Sequence, residues 1–132
     1  MQKALAILSV FFALTGTASA ANIVGVVVQG NGDKAQFERA VKLASNMREE
    51  LTDTKFEVVV FGPTVKLLTS FGDELPLIQK VQSEGIKIVA CGRSMKTDNV
   101  SASDLAPGVV VEDFGAVHIM KRQKEGWQYF KP

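Results

Sequence analysis

Cys91 is the residue of this sequence best suited to carry out chemistry, and it is the only cysteine in the chain. It directly follows residues 86–90, an apolar run that predicts a buried strand, and sites in open α/β sheets collect at the carboxyl ends of strands. The next residues, Gly92, Arg93 and Ser94, can begin a helix, so that free backbone N–H groups and the charge of Arg93 would face the sulfur. Such surroundings lower the pKa of a thiol from about 8.5 and favour the nucleophilic thiolate. The sequence therefore predicts a reactive Cys91 whose anion is stabilised by the three residues after it.

A structural role is the alternative interpretation of Cys91. A buried cysteine can act as a small apolar side chain, although such a residue would more naturally lie in the middle of a strand. With one cysteine and one histidine, the chain cannot build a disulfide framework or complete a tetrahedral zinc site. We therefore expect no metal here, and the position of the sulfur must decide between the reactive and the structural interpretation.

Residues 30–35, with the sequence Gly-Asn-Gly-Asp-Lys-Ala, match the pattern G-x-G-x-x-G/A that places a helix N-terminus against a dinucleotide. The acidic residue that would hold the ribose should follow the second predicted strand, but the chain there reads Phe61, Gly62, Pro63. The chain also leaves little room for a second nucleotide-binding half. The pattern therefore indicates an ordinary turn between a strand and a helix, and we expect no organic cofactor.

His118 is the only histidine and could assist a thiol as an acid or a base. It lies in a predicted helix near the basic residues Lys121 and Arg122, and nothing in the sequence brings it to Cys91. We therefore interpret His118 as a residue of a surface helix.

The elements that must position these residues alternate between strands and helices. Runs rich in β-branched and apolar residues predict strands at residues 22–29, 55–61, 86–90, 109–111 and 127–130. Apolar residues at helical spacing predict helices over residues 34–52, 63–71, 73–84 and 115–125. Strands that alternate with helices form βαβ units around a parallel sheet. We therefore predict a single-domain α/β fold, with a mostly parallel sheet, helices on both faces and a flavodoxin-like layering.

The first 20 residues predict a cleaved secretory signal peptide. Lys3 precedes an apolar run over residues 4–14, and small residues ending in Ala18-Ser19-Ala20 provide an A-x-A cleavage site. The apolar run is too short to span a bilayer, which takes about 20 residues. We therefore expect cleavage after Ala20, a mature domain over residues 21–132, and a periplasmic or secreted location without a membrane anchor.

The charge balance restricts the partners of this domain. The 132 residues include 15 Lys and Arg against 14 Asp and Glu, which is the composition of one near-neutral globular domain. A basic field that would draw the chain to nucleic acid or to anionic lipid is missing. We therefore expect neither nucleic acid nor a membrane surface as a partner after signal cleavage.

Three segments of the sequence resemble the DsrE/DsrF-like sulfur-relay family: NIVGVVVQG at residues 22–30, IVACGRSM at residues 88–95, and the closing segment of residues 105–132. The resemblance covers essentially the whole mature chain, and it implies a compact α/β fold assembled into trimers or hexamers. In the sulfur-relay members, the cysteine at the position of Cys91 takes up sulfane sulfur as a persulfide and passes it to a partner thiol. Those members act in the cytoplasm, so their partners are not carried over to a chain with an export signal.

We arrive at one leading functional hypothesis and two alternatives. The leading hypothesis is an exported sulfur carrier, similar to a sulfurtransferase, which accepts and donates sulfane sulfur through a persulfide on Cys91 and exchanges it with a thiol-bearing donor or acceptor protein. The first alternative is a noncatalytic oligomer that binds a small ligand in subunit crevices lined by Cys91. The second is a redox-responsive thiol that forms mixed disulfides. The reactivity of Cys91 separates the noncatalytic hypothesis from the other two.

Overall fold

Five parallel strands form the centre of the protein in a computed structural model that describes residues 22–132. The strands are β1 (Gly25–Gln29), β2 (Lys55–Val60), β3 (Lys87–Cys91), β4 (Val110–Glu112) and β5 (Gln128–Phe130). Their order across the sheet is β4-β3-β2-β1-β5, and every neighbouring pair is parallel. The predicted α/β fold is thus confirmed, while the predicted signal peptide lies outside the described residues.

Four α-helices connect these strands: α1 (Lys34–Glu50), α2 (Leu75–Ser83), α3 (Gly92–Thr97) and α4 (Gly115–Lys124). Asp33 caps α1 in a capping box, because its carboxylate accepts the Gln36 N–H at 2.8 Å and the Gln36 side chain accepts the Asp33 N–H at 2.8 Å. The helix predicted over residues 63–71 is instead a 3-10 helix, Gly62–Leu68. A segment this short, enclosed by Gly62 and Gly72, offers few residues to offset the cost of starting an α-helix.

The two faces of the sheet are covered unequally. Helices α1 and α2 and the 3-10 helix pack on one face, over strand residues that include Val26, Val28, Val58, Val60 and Ile88. Helix α4 packs on the other face, where the smaller core cluster consists of Val27, Val59, Val89, Ile119 and Trp127. The prediction of helices on both faces is confirmed. Beside α4 several large apolar side chains remain exposed, namely Phe114, Val117, Met120 and Tyr129.

Candidate functional site

Cys91 is the last residue of β3 and the N-cap of α3, at the carboxyl edge of the sheet. It pairs in register with Glu112 of β4, and only 1% of its surface is exposed. The first residue of α4, Gly115, lies directly against it: a Cβ atom at Gly115 would be 3.1 Å from the Cβ of Cys91. Two helices therefore begin at this cysteine, α3 immediately after it in the chain and α4 packed against it.

The hydrogen bonds around the sulfur favour its anionic form. Burial by itself raises the pKa of the Cys91 thiol, but hydrogen bonds from the Ser94 hydroxyl and from the backbone N–H groups of Gly115 and Ser94 outweigh this effect. The Arg93 N–H makes the smallest contribution, because it also donates to the Asp113 carbonyl at 3.0 Å. The pKa of Cys91 therefore lies below its usual value. In the protonated form the thiol can donate to the carbonyl oxygen of Asp113, which lies 3.8 Å from Sγ. N–H groups at the start of both helices thus contribute to stabilising a thiolate.

The Ser94 hydroxyl is held by the backbone of Gly62. Its oxygen accepts the backbone N–H of Gly62 at 2.7 Å, so its own hydrogen is free to point to the sulfur of Cys91. A similar bond joins the neighbouring strand ends, because the Asn31 side-chain oxygen accepts the backbone N–H of Phe61 at 3.1 Å. The carboxyl ends of β1, β2 and β3 are therefore tied together around Cys91.

Arg93 contacts the segment that covers Cys91. Its backbone N–H donates to the Asp113 carbonyl at 3.0 Å, its Nε lies 3.2 Å from the Asp113 carboxylate, and its guanidinium carbon is 4.3 Å from the centre of the Phe114 ring. The predicted action of the Arg93 charge on the thiolate stays a prediction. The structure adds a second role, in which Arg93 holds residues 113–114 in place above the sulfur.

Gly92 lets this cover approach closely. A Cβ atom at Gly92 would lie 3.3 Å from Cγ1 of Val111 and 3.4 Å from the Cα of Asp113. The segment 113–115, which links β4 to α4, therefore lies directly over the start of α3. With this segment, which we call the cover, in place, Cys91 is only 1% exposed.

A buried ionic cluster lies between the sheet and α4. The sequence did not predict it. The carboxylate of Glu57, a β2 residue only 2% exposed, accepts hydrogen bonds from Arg122 at 2.6 and 3.1 Å and lies 2.7 Å from Nε2 of His118. Burial raises the pKa of Glu57, but the bonds to Arg122 and His118 outweigh it, so the pKa lies below its usual value. The bond to Glu57 in turn raises the pKa of Arg122.

This cluster corrects the interpretation of His118 as a surface residue, since its side chain is only 11% exposed. The i, i+4 spacing of His118 and Arg122 places both on one side of α4, and this was the signal the sequence offered. The second ring nitrogen of His118 lies 3.9 Å from the carboxylate of Glu112, the strand partner of Cys91. His118 thus links the ionic cluster to the neighbourhood of Cys91 through Glu112.

Within residues 22–132, no three His, Cys, Asp or Glu side chains are placed so that they could hold a metal ion. In the same range, no helix has the length and apolar character needed to cross a membrane. The turn at residues 30–35 connects β1 to α1, and the backbone N–H of Gly32 donates to the Thr64 hydroxyl at 3.0 Å.

The fold is similar to those of several solved structures. MTH1491, a protein of unknown function from Methanobacterium thermoautotrophicum, is 25% identical with a TM-score of 0.76, over 82% of this chain and 97% of its own. The ychN protein from E. coli has a TM-score of 0.69 at 11% identity, over 84% of this chain and 99% of its own. BT1422, a conserved protein of unknown function from Bacteroides thetaiotaomicron, has a TM-score of 0.66 at 18% identity, over 83% and 95% of the two chains.

No curated protein matches the chain. The model of the DsrE/DsrF-like family, by contrast, matches residues 19–132, which include all five strands and Cys91. The resemblance seen in the sequence is therefore confirmed: this chain belongs to the DsrE/DsrF-like family, which is associated in general with sulfur relay.

Proposed function

We propose that this protein is a sulfur carrier in which Cys91 accepts and donates sulfane sulfur. The observation that carries the proposal is the position of Cys91 at the carboxyl edge of the sheet, where α3 begins and the first residue of α4 lies against it. The pKa of this thiol, the only one in the chain, lies below its usual value. The thiolate is the nucleophilic form of cysteine, and a lowered pKa increases its share at neutral pH. The general association of the family with sulfur relay gives this nucleophile its substrate class.

The transfer step exchanges one sulfur–sulfur bond for another. The thiolate of Cys91 attacks the outer sulfur of a donor persulfide, R–S–S–H. A bond forms between Sγ and that sulfur, the donor S–S bond breaks, and its electron pair leaves with the donor as the thiolate R–S⁻. Cys91 then carries the persulfide and its hydrogen, and attack by an acceptor thiolate returns Cys91 to its thiolate. Neither half of the cycle needs an oxidant or a reductant.

Displacement of the cover is a necessary part of this proposal, because Cys91 is buried when the cover is closed. The contacts that hold it from outside include the exposed ion pair between Arg93 and Asp113, and exposed ion pairs contribute little to stability. A donor or acceptor protein that competes for Arg93 or Phe114 would therefore favour the open form. In the proposal, the sulfur partner is a thiol-bearing protein that binds this edge of the sheet.

Export and assembly complete the proposal. The signal-like residues 1–20 support a periplasmic or secreted location. The exposed apolar side chains beside α4, among them Phe114, Val117 and Met120, support a homo-oligomer, with a trimer or hexamer implied by the resemblance. In such an assembly the apolar side of α4 would be covered by another copy.

The burial of Cys91 also favours one rival, the noncatalytic oligomer that binds a small ligand. In that case the thiol is a packing residue and the cover does not open. The rival and the proposal differ in whether Cys91 reacts in the folded protein.

Intact mass spectrometry after incubation with polysulfide tests the proposal. The wild-type protein should gain the mass of sulfur and lose it on reduction, and Cys91→Ser should gain nothing while it folds and assembles normally. Alkylation by iodoacetamide provides the second measurement. A Cys91 that gains no sulfur and is alkylated only in denaturant is a packing residue, and the noncatalytic rival then replaces the proposal.

A further inference from the structure

A cavity of about 380 Å³ lies at the edge of the sheet opposite Cys91. Its lining includes Lys55 and Lys87, the first residues of β2 and β3, whereas Cys91 is the last residue of β3. Small-molecule sites in proteins occupy roughly 300–1,000 Å³. The cavity is therefore large enough for a small ligand, and it is separated from the proposed sulfur site by the length of a strand.

The side chains that line this cavity carry a positive surplus. Four are basic, Arg48, Lys55, Lys87 and Arg122, and two are acidic, Glu57 and Glu84. A surplus of one sign beside low-dielectric walls attracts ions of the opposite sign. The charge of the cavity therefore selects for an anion.

The two carboxylates of the cavity are already engaged by other groups. Glu57 is bound by Arg122 and His118, as described above. Glu84 accepts the Ser45 hydroxyl at 2.6 Å and lies 3.3 Å from Nζ of Lys80, which is outside the cavity. The remaining cations are secondary partners of these carboxylates, because Lys87 lies 3.7 Å from Glu57 and the charge of Arg48 acts on Glu84 without a direct contact.

Arg48 and Lys55 are the two cations of the cavity that form no ion pair within residues 22–132. Among residues 22–132, no carboxylate oxygen lies within 4.0 Å of either side chain's nitrogen atoms. Lys87 reaches Glu57 only at 3.7 Å and is half exposed. Three cations therefore retain donors that can point into the cavity, and the hydroxyls of Thr52 and Thr54 lie beside them.

Trp127 gives the cavity a fixed wall. Its side chain is packed against Gly25, where a Cβ atom would lie 2.3 Å from the ring, and the guanidinium of Arg122 is 4.5 Å from the ring centre. Trp127 is only 7% exposed, and it is the only tryptophan of the chain. Its fluorescence therefore reports on this cavity and on the core cluster under α4 to which Trp127 also belongs.

We propose that this cavity binds a small molecule bearing a phosphate, sulfate or carboxylate group, which Arg48, Lys55 and Lys87 contact through their charged nitrogen atoms. Oxyanions of this kind accept several charge-assisted hydrogen bonds at once, and arginine suits their geometry. The site is independent of Cys91.

Inorganic phosphate is the probe for this site. It is titrated into the full-length protein while sodium chloride keeps the ionic strength constant, and the fluorescence of Trp127 is recorded. We expect a saturable change in the wild-type protein and in Cys91→Ser. The double variant Arg48→Gln/Lys55→Gln should bind phosphate about tenfold more weakly or worse, because it loses the surplus charge while breaking no ion pair.

The matched control is Arg39→Gln/Lys96→Gln, which removes the same two charges from exposed positions elsewhere and should bind like the wild type. Circular dichroism checks that each variant is folded. If Arg48→Gln/Lys55→Gln does not fold, the single variant Lys55→Gln is compared with Lys96→Gln instead. A signal that follows ionic strength alone, that fails to saturate, or that is equal in the cavity variant and its control overturns the proposal.

Discussion

Ser94→Ala is the sharpest perturbation of the Cys91 site, because it removes one donor to the sulfur and leaves the nucleophile in place. A hydrogen bond to a charged group contributes about 1.5–3 kcal/mol, and about 1.4 kcal/mol corresponds to a tenfold change in an equilibrium constant. The three backbone N–H groups remain. We therefore expect the ionisation constant of the Cys91 thiol to fall by about tenfold or more, with a corresponding rise in its pKa.

The ultraviolet absorbance of the thiolate measures this ionisation directly, and it does not require a reagent to pass the cover. Because Cys91 is the only cysteine, the spectrum of Cys91→Ser provides the background. Ser94→Thr keeps a hydroxyl and should titrate like the wild type, as should Ser83→Ala, which removes an exposed hydroxyl at the end of α2.

The same variant should also be less stable. Without the Ser94 hydroxyl the partly buried backbone N–H of Gly62 loses its acceptor, which costs at most about 3 kcal/mol. Urea unfolding measures this loss. A Ser94→Ala protein whose thiol titrates like the wild type would show that the hydroxyl does not donate to the sulfur, and the account of the lowered pKa would then be wrong.

Glu57 makes the stability of the protein depend on pH, because its pKa is depressed in the folded state. Its contribution to the free energy of unfolding is present above the pKa of the unfolded state, about 4.3, and is lost as the pH falls through the pKa of the folded state. Glu57→Gln should weaken this dependence and cost about 3 kcal/mol in urea unfolding at neutral pH, because Arg122 loses its buried partner. Gly115→Ala should lower the free energy of unfolding by about 1–3 kcal/mol, since the new methyl group would lie 3.1 Å from the Cβ of Cys91; unchanged stability would mean that α4 begins farther from the thiol. Light scattering should report a trimer or a multiple of it, and a monomer at micromolar concentration would contradict the proposed assembly. N-terminal sequencing of the exported protein should start at Ala21, and an uncleaved chain in the cytoplasm would contradict the proposed export.

Local patterns were sufficient to predict the elements of the sheet and the place of Cys91. The apolar run before Cys91 and the residues after it determine a strand that passes directly into a helix, and the residues around Asp33 determine a cap. These features depend on neighbours within a few positions in the chain. Such neighbours are visible in any single sequence.

The burial of Cys91 and the environment of His118 could not be predicted in this way. The cover reaches Cys91 from 22 residues away, and His118 meets Glu57 across 61 residues. Both contacts depend on how α4 docks on the sheet. The alternation of apolar residues identifies which residues of β2 share a face, but it does not specify which helix residue lies opposite them.

The cover has a consequence for reaction rates at Cys91. A group that is reached only through local opening reacts in proportion to the population of the open form, provided that closing is fast. Small oxidants would then all be slowed by the same factor, whatever their intrinsic reactivity, and the steps from thiolate to sulfenic and sulfinic acid would slow with them. A protein that binds only the open form raises its population by mass action and escapes that penalty. Selectivity for a partner can therefore arise at this cysteine without any pocket shaped to recognise the transferred sulfur.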